Sequence, residues 1–166
     1  MSHRAHSKSD RARRKNDRDG GGLLALLLAI LASTPVAAEQ SKHFGDWDVH
    51  YVVIPSTFLR PQIATNYNLV RAKDRSLVNV SVVATSGKGT RARLQGSASN
   101  LLGQRFGLEF REVTEGSAIY YLAELEHTNE EVLRFRISVS VAGEPDMLME
   151  FQQKLYWEDA DAGGPR

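Results

Sequence analysis

The amino-acid sequence predicts an all-β protein, an antiparallel β-sandwich of the immunoglobulin-like kind with seven or eight strands. Three observations lead to this fold class. Apolar residues between 46 and 157 recur at every second position, as in strands with one buried face. Turn-forming residues separate these segments at intervals of about 8–12 residues. A single stretch, near residues 61–67, has the proline-led start of a short helix. A β-barrel satisfies the same pattern and is the alternative.

The first strand is predicted over residues 46–53, where apolar and polar side chains alternate. Its apolar face consists of Trp47, Val49, Tyr51 and Val53. Pro55 and Pro61 exclude a central strand in the next segment because proline cannot donate a hydrogen bond to a sheet ladder. Residues 61–67 are therefore expected to form a short crossover helix, and residues 69–73 a further short strand.

The remaining strands follow from the same alternation. Residues 76–85 and 91–98 flank a glycine-rich turn at 86–89, and this arrangement favours a hairpin. Further strands are predicted over residues 106–113, 118–126, 132–141 and 147–157. The side chains expected to form the core are Trp47, Val49, Val80, Val82, Leu94, Phe110, Tyr121, Leu133, Phe135, Ile137, Val139 and Phe151. Residues 159–166 are acidic and glycine-rich, so they are expected to form a flexible tail.

The first 38 residues have the pattern of a cleavable signal peptide. Seven lysines and arginines precede an apolar run of nine residues that begins at Leu23, and Val36-Ala37-Ala38 provides a small-x-small cleavage site. The apolar run is too short for a spanning helix, which needs about 20 residues. The sequence therefore predicts cleavage after Ala38, a single domain over residues 39–158, a periplasmic location and no stable membrane anchor after cleavage.

Charge and composition exclude several classes of function. Residues 39–166 contain 14 lysines and arginines and 17 acidic residues, a formal charge of −3. Nucleic acid is therefore not an expected partner, since such proteins carry a basic face. The sequence has no cysteine. Disulfides, thiolate metal sites and a cysteine nucleophile are thereby excluded.

Asp46, Asp48 and His50 form the one row of side chains that suggests metal chemistry. Carboxylate and imidazole groups are ligands of divalent metals, so the row is compatible with a metal-dependent or other hydrolase. Alternate side chains of a strand are about 6.6 Å apart, however, which is long for three ligands of one ion. We therefore favour a solvated strand face and expect no metal and no cofactor. No nucleophile-elbow motif supports a serine triad, and His127 is expected in a polar turn.

The segment from Pro55 to Pro61 is the most informative loop. Its residues Ser56, Thr57, Phe58, Leu59 and Arg60 are candidates for a surface that contacts a partner. The favoured interpretation is that Phe58 closes one end of the core, because large apolar side chains are usually buried.

Four arginines are expected on outward strand faces. They are Arg91, Arg93, Arg134 and Arg136. They form either a basic stripe or, as we favour, cross-strand pairs with Glu109, Glu124 or similar acids.

Several phrases of the sequence occur together in a known family. They are residues Phe44–Tyr51, Pro55–Leu59, Asn100–Gln104, Leu108–Val113, Ala118–Tyr121 and Phe151–Tyr156. Over residues 40–156 the chain resembles a bacterial family of exported proteins catalogued as domain of unknown function four-four-two-six. The resemblance implies a small secreted β-sandwich without an established activity, and it brings no catalytic residues. We therefore expect a non-enzymatic binding or accessory module for an unknown periplasmic protein or ligand.

Overall fold

Residues 40–158 are described by the structure, a computed structural model, and they form the predicted antiparallel β-sandwich. Nine strands are present in this range rather than seven or eight: β1 Gln40–Phe44, β2 Trp47–Pro55, β3 Arg75–Ala84, β4 Ala92–Asn100, β5 Arg105–Leu108, β6 Arg111–Glu115, β7 Ala118–Glu126, β8 Glu131–Val141 and β9 Met147–Leu155. A 3-10 turn (Ser56–Phe58) and the helix α1 (Pro61–Asn66) follow β2. The predicted signal peptide and the predicted tail lie outside the described residues.

The strands form two separate sheets, so the barrel alternative is wrong. The five-stranded sheet has the order β1-β2-β3-β7-β6, and the four-stranded sheet has the order β5-β4-β8-β9. The core lies between them and confirms the predicted inward faces. Eight of the twelve predicted core residues are buried, and the other four, Trp47, Leu94, Phe110 and Phe151, are partly buried and pack against the main cluster. Phe151 stacks on Phe135 with ring centroids 4.6 Å apart.

Three of the strand predictions were wrong. The strand β1 was missed because its residues Gln40–Phe44 are mostly polar and do not alternate. The segment 106–113 divides into β5 and β6, since the chain passes from the four-stranded to the five-stranded sheet at Glu109 and Phe110. Residues 69–73 form no strand. They belong to the crossover connection instead.

The predicted hairpin of β3 and β4 was also wrong. These strands belong to different sheets. Only the start of the connection returns along β3, where the Thr90 amide donates to the Val82 carbonyl at 2.8 Å. Both strands present an apolar face to the same core from opposite sides. A period-two pattern does not distinguish that arrangement from a hairpin.

Gly89 lies where this connection passes the turn between β6 and β7. A Cβ atom at Gly89 would lie 2.8 Å from the backbone oxygen of Ser117, whereas a Cβ atom at Gly107 would meet nothing within 4 Å. We expect Gly89→Ala to lower the free energy of unfolding by about 1–3 kcal/mol, the usual cost of overpacking. Gly107→Ala is the matched control, with an expected change within about 0.5 kcal/mol. Urea denaturation measures both, and equal effects would contradict the steric explanation.

The crossover segment, residues 56–74, covers part of the outer face of the five-stranded sheet. Its side chains Leu59, Ala64 and Leu69 form a second apolar cluster with Leu77 and Leu122 of the sheet. Pro61 occupies the first turn of α1, as predicted, where its missing N–H is not needed. Within residues 40–158 no helix has the length and apolarity that a membrane span requires.

Candidate functional site

The predicted contact loop, Ser56–Arg60, is mostly turned into the protein. Ser56, Thr57 and Leu59 are buried, whereas Phe58 is 37% exposed and Arg60 is also exposed. The Ser56 hydroxyl donates to the Ala72 carbonyl and accepts from the Ala72 amide, both at 3.0 Å. The loop is thus tied to the end of the crossover segment. The interpretation that Phe58 closes one end of the core is wrong, since Phe58 is exposed and the buried side chain of the loop is Leu59, which packs in the second apolar cluster on the outer face of the sheet.

Exposed apolar side chains concentrate at one end of the sandwich. At this end β2, β4, β7 and β9 finish and β3, β5 and β8 begin, and we call it the crossover end. Among residues 40–158, seven large apolar side chains are exposed, and six of them lie at or beside the crossover end. They are Phe58, Val70, Leu101, Leu102, Tyr156 and Trp157. Leu148 lies at the opposite end, where β9 begins.

The turn between β4 and β5 presents the most exposed pair. Leu101 is 63% and Leu102 is 87% exposed. Asn100 holds this turn: its Oδ1 accepts from the amides of Leu102 and Gln104 at 3.1 and 3.0 Å. Its Nδ2 donates to Gln104 Oε1 at 2.6 Å and to Glu131 Oε1 at 3.0 Å. The two leucines are therefore displayed on a rigid turn, which we call the leucine tip (residues 101–104).

Glu131 supports the leucine tip from strand β8. Burial opposes ionisation and raises the pKa of its carboxyl, but hydrogen bonds from the Thr128 amide, the Asn100 side chain and the Thr128 hydroxyl outweigh that effect. The pKa of Glu131 consequently lies below its ordinary value. The carboxylate is ionised at neutral pH and fixes the Asn100 amide as a donor.

A groove of about 670 Å³ opens beside the leucine tip. Its lining has an aromatic part, Phe106 and Trp157, and an acidic part with four carboxylates. The acidic side chains are Asp74, Glu124, Glu126 and Glu131. Gln104 lines the groove as well, so the leucine tip and the groove are continuous. Arg75 is the one arginine of the lining, and its Nη2 lies 3.3 Å from Glu126 Oε2.

His127 lies at the groove wall, directly before the polar turn at residues 129–130, and it is buried and hydrogen-bonded. The side chain is 5% exposed, its Nδ1 donates to the Thr128 carbonyl at 2.9 Å, and its Nε2 accepts from the Ser76 hydroxyl at 3.0 Å. Ser76 is 1% exposed and does not line the groove. A substrate in the groove would not reach that hydroxyl. The pair therefore serves to join β3 to β7 rather than to form a nucleophile and base.

The Trp157 indole joins the two sheets at the crossover end. Its Nε1 donates to the His127 carbonyl at 3.0 Å, and the His127 amide donates to the Asp74 carbonyl at 2.9 Å. This chain of hydrogen bonds runs from the end of β9 to the start of β3. Trp157 is thereby held in one orientation although it is 42% exposed.

The row Asp46, Asp48 and His50 lies on the five-stranded sheet, toward its opposite end. Asp46 is an exposed turn residue, and Asp48 Oδ1 lies 2.9 Å from Nδ1 of His43 on β1. His43 is thus the neighbour that Asp48 contacts, and it was not part of the predicted row. In residues 40–158 no group of three or more histidine, aspartate or glutamate side chains is arranged to hold a metal ion.

We predict that thermal stability does not depend on a metal. Because the row runs along one strand, its three side chains do not close a coordination shell around one ion. Melting curves recorded with chelator, with zinc and with calcium should coincide, since an ion bound to the native state would raise the midpoint. A rise of about 3 °C or more that disappears in Asp48→Ala or His50→Ala would contradict this prediction. Such a result would favour the hydrolase alternative.

Two of the four outward arginines pair with acids, different ones from those named, and Arg134 Nε instead donates to the amide oxygen of Gln152 at 3.3 Å. Arg91 Nη2 lies 2.7 Å from Glu112 Oε1, and Arg136 Nε lies 3.4 Å from Glu150 Oε1. Glu112 also lies 3.4 Å from the hydroxyl of Tyr121, which accepts a hydrogen bond from the Ala92 amide at 2.6 Å. Burial raises the pKa of this Tyr121 hydroxyl. These contacts link the start of β4 in one sheet to β6 and β7 in the other.

Sequence reasoning missed the leucine tip and the groove. One local signal was available for the tip: Leu101 and Leu102 are consecutive and therefore break the period-two pattern just before Gly103, which has a positive φ of 83°. No local signal was available for the groove. Its carboxylates come from the crossover segment, β7 and β8, which meet only in the folded chain.

Comparisons with known proteins agree with this architecture. A crystal structure of a DUF4426 family protein from Pseudomonas aeruginosa PAO1 is 40% identical, with a TM-score of 0.67, and the match covers 73% of this chain and 97% of that chain. A copper-bound variant of FetP from uropathogenic Escherichia coli strain F11 is 11% identical, with a TM-score of 0.54 over 74% of this chain and 98% of that one. FetP of the same strain as isolated, expressed in the periplasm of Escherichia coli, is 9% identical, with a TM-score of 0.51 over 74% and 97%. The FetP matches show similarity of fold alone.

The family match is more specific than the fold match. No curated protein matches the chain. The family model described as domain of unknown function (DUF4426) matches residues 41–158, which confirms the resemblance of the sequence phrases. The chain therefore belongs to the DUF4426 family.

Proposed function

We propose that the chain is an exported periplasmic protein, a non-enzymatic binding or accessory module, and that it holds a partner protein at the crossover end. The observation that carries the proposal is the concentration of six exposed apolar side chains at that end. Scattered single apolar side chains are normal on a protein surface, whereas a concentration of them marks a site of interaction.

The leucine tip suits an anchor because its shape exists before binding. Asn100 fixes the backbone on both sides of Leu102, so little conformational entropy is lost when the side chain enters a partner's pocket. A few well-placed anchors supply most of the free energy of a protein interface. Phe58 and Trp157 are further exposed aromatic side chains at or beside this end.

Export is supported by the leader pattern of residues 1–38, with its basic start, its short apolar run and its small-x-small site. FetP, which has a similar fold, was expressed in the periplasm for its structure. Recovery of the mature protein from the periplasm with an intact mass that begins at Glu39 is the expected result. Full-length protein retained in the cytosol would contradict export.

A hydrolase that uses Asp46, Asp48 and His50 is the alternative function. The geometry favours the binding module over it. The row lies away from the large groove, and its Asp48 is engaged by His43.

Site-specific photocrosslinking in living cells tests the partner surface. A benzophenone amino acid placed at Leu102 should give one discrete adduct in the periplasm, because that side chain meets the partner. The matched control is Ala142, an exposed residue in the turn between β8 and β9 at the opposite end. Leu101→Ser in the Leu102 crosslinking protein should remove the adduct. Equal adducts at both positions, or none at Leu102, would overturn the assignment of this surface.

A further inference from the structure

We propose that the groove at the crossover end receives a basic side chain, a lysine or an arginine, from the protein that contacts the leucine tip. The inference rests on the proposed function and names the chemistry of the partner. It follows from three features of the groove: the sign of its charge, its aromatic walls and its continuity with the leucine tip.

The groove has an excess of negative charge. Four carboxylates line it, against two cations, Arg75 in the lining and Lys73, whose ammonium lies at the Trp157 ring. Arg75 is engaged with Glu126. His127 uses both ring nitrogens in hydrogen bonds to Ser76 and Thr128 and so adds no proton donor to the cavity. A cation that enters the groove therefore meets a net attraction, which is stronger than on an open surface because the walls exclude part of the water.

The aromatic walls favour the same ligand chemistry. The ammonium of Lys73 lies 5.0 Å from the centroid of the Trp157 ring, so the ring already attracts a cation of the chain itself. A cation from the partner would displace Lys73 or contact the other face of the ring. Phe106 faces the groove from β5 and provides an apolar wall for the methylene groups of a long side chain. Lysine and arginine combine a charged head with such an apolar stem, and they match a groove that is acidic and aromatic.

The leucine tip and the groove are close enough to be contacted together. Gln104 lines the groove and also closes the turn that displays Leu102, because its backbone amide donates a hydrogen bond to Asn100 Oδ1. A partner segment that buries Leu102 therefore carries its neighbouring side chains past the groove entrance. The expected recognition element is an apolar surface with an adjacent lysine or arginine.

The charge of the groove disfavours a lipid surface as the occupant. Protruding leucines and a tryptophan also occur on proteins that lie on membranes. Such proteins usually add basic residues that attract anionic headgroups. Here the cavity beside the leucines carries four carboxylates, which would repel an anionic surface. A basic protein segment is thus the better match.

Titration with a matched pair of small probes tests the groove directly. N-acetyl-arginine amide carries a guanidinium, and N-acetyl-citrulline amide has nearly the same shape without the charge. The chain contains two tryptophans, Trp157 at the groove and Trp47 near the opposite end, so the indole resonances in ¹⁵N correlation spectra report on both ends at once. We expect the arginine probe to shift Trp157 and not Trp47. The citrulline probe should bind at least about fivefold more weakly, the scale of one cation–π contact.

Two double variants separate the groove from a general effect of charge. Asp74→Asn with Glu126→Gln removes two carboxylates of the groove, and binding of the arginine probe should weaken by about three- to tenfold. Asp46→Asn with Glu144→Gln removes the same charge from exposed positions at the opposite end and should leave binding unchanged. Equal affinity for the two probes, or equal weakening by both double variants, would overturn the proposal.

Two further results distinguish this inference from the proposed function. If the Leu102 adduct persists while the arginine probe does not bind, the partner surface stands and the selection of a basic side chain is wrong. If the protein instead sediments with vesicles of phosphatidylethanolamine and phosphatidylglycerol, and Leu102→Ser abolishes this while the arginine probe has no effect, the crossover end binds lipid. That outcome would overturn the groove proposal as well.

Discussion

Replacing Phe135 by alanine is expected to lower the free energy of unfolding by about 3–5 kcal/mol. The side chain is 2% exposed in the middle of β8, and it stacks on Phe151 of β9 with an interplanar angle of 6°. Phe151 in turn contacts Tyr51 of the other sheet, with ring centroids 4.3 Å apart. Removal of the Phe135 ring therefore loses the free energy gained from burying that ring. It also leaves a cavity beneath an aromatic stack that joins the sheets.

Phe58→Ala is the matched control for this prediction. Phe58 is the same residue type but is 37% exposed, so its removal should change the free energy of unfolding by less than about 1 kcal/mol. Urea denaturation of both variants gives the comparison. A loss below about 1 kcal/mol for Phe135→Ala would show that the ring lacks the packing on which the assignment of the inner faces depends.

The sequence predicted the inner faces of the sandwich because burial of one strand face produces a local alternation of apolar and polar residues. Residues such as Val80, Ile137 and Val139 alternate with polar neighbours, and all three are buried. The assignment of strands to sheets produces no local pattern of this kind. In β3 and β4 the apolar residues face one core from opposite layers, and alternation is the same whether two strands pair or face each other. The hairpin between them was wrong for this reason.

The candidate site was less predictable than the fold. Phe58 and Arg60 were named and are exposed. Ser56 and Thr57 are bonded to residues 71–72, and Leu59 is buried in the second apolar cluster, through contacts that are distant in sequence. The environment of His127 depends on Ser76, which lies 51 residues away in the chain. Contacts of this kind follow from tertiary packing. A single sequence gives no measure of them.

Asn100→Ala is expected to have the second-largest effect among the variants considered. The Asn100 side chain is 9% exposed and makes four hydrogen bonds, two from its oxygen and two from its nitrogen. At about 0.5–1.5 kcal/mol for each bond, partly replaced by water, the loss should amount to about 2–4 kcal/mol. Asn66→Ala, at the exposed end of α1, is the control and should change stability by less than about 1 kcal/mol.

The same substitution should loosen the leucine tip before it unfolds the domain. The amides of Leu102 and Gln104 lose their acceptor, so their hydrogen exchange should accelerate while exchange of core amides such as that of Ile137 changes less. If the leucine tip serves as an anchor, the Leu102 adduct should weaken in Asn100→Ala although both leucines remain. Unchanged exchange at Leu102 would contradict the role of Asn100 in holding the turn.

Asn100→Asp should make the free energy of unfolding decrease as the pH rises. The new carboxylate keeps the two bonds from the backbone amides, but it replaces the donor to Glu131 Oε1, 3.0 Å away, with a like charge. Repulsion raises the pKa of this carboxyl pair in the folded state above its unfolded value. Stability of the variant should then be greatest at low pH and decrease as the pH rises through the raised folded pKa. In the natural chain the lowered pKa of Glu131 acts in the opposite sense, with a contribution that is lost as the pH falls through its folded pKa. The two stability profiles, measured by urea denaturation from acid to neutral pH, should therefore diverge as the pH rises, and parallel profiles would show that Asn100 and Glu131 do not interact.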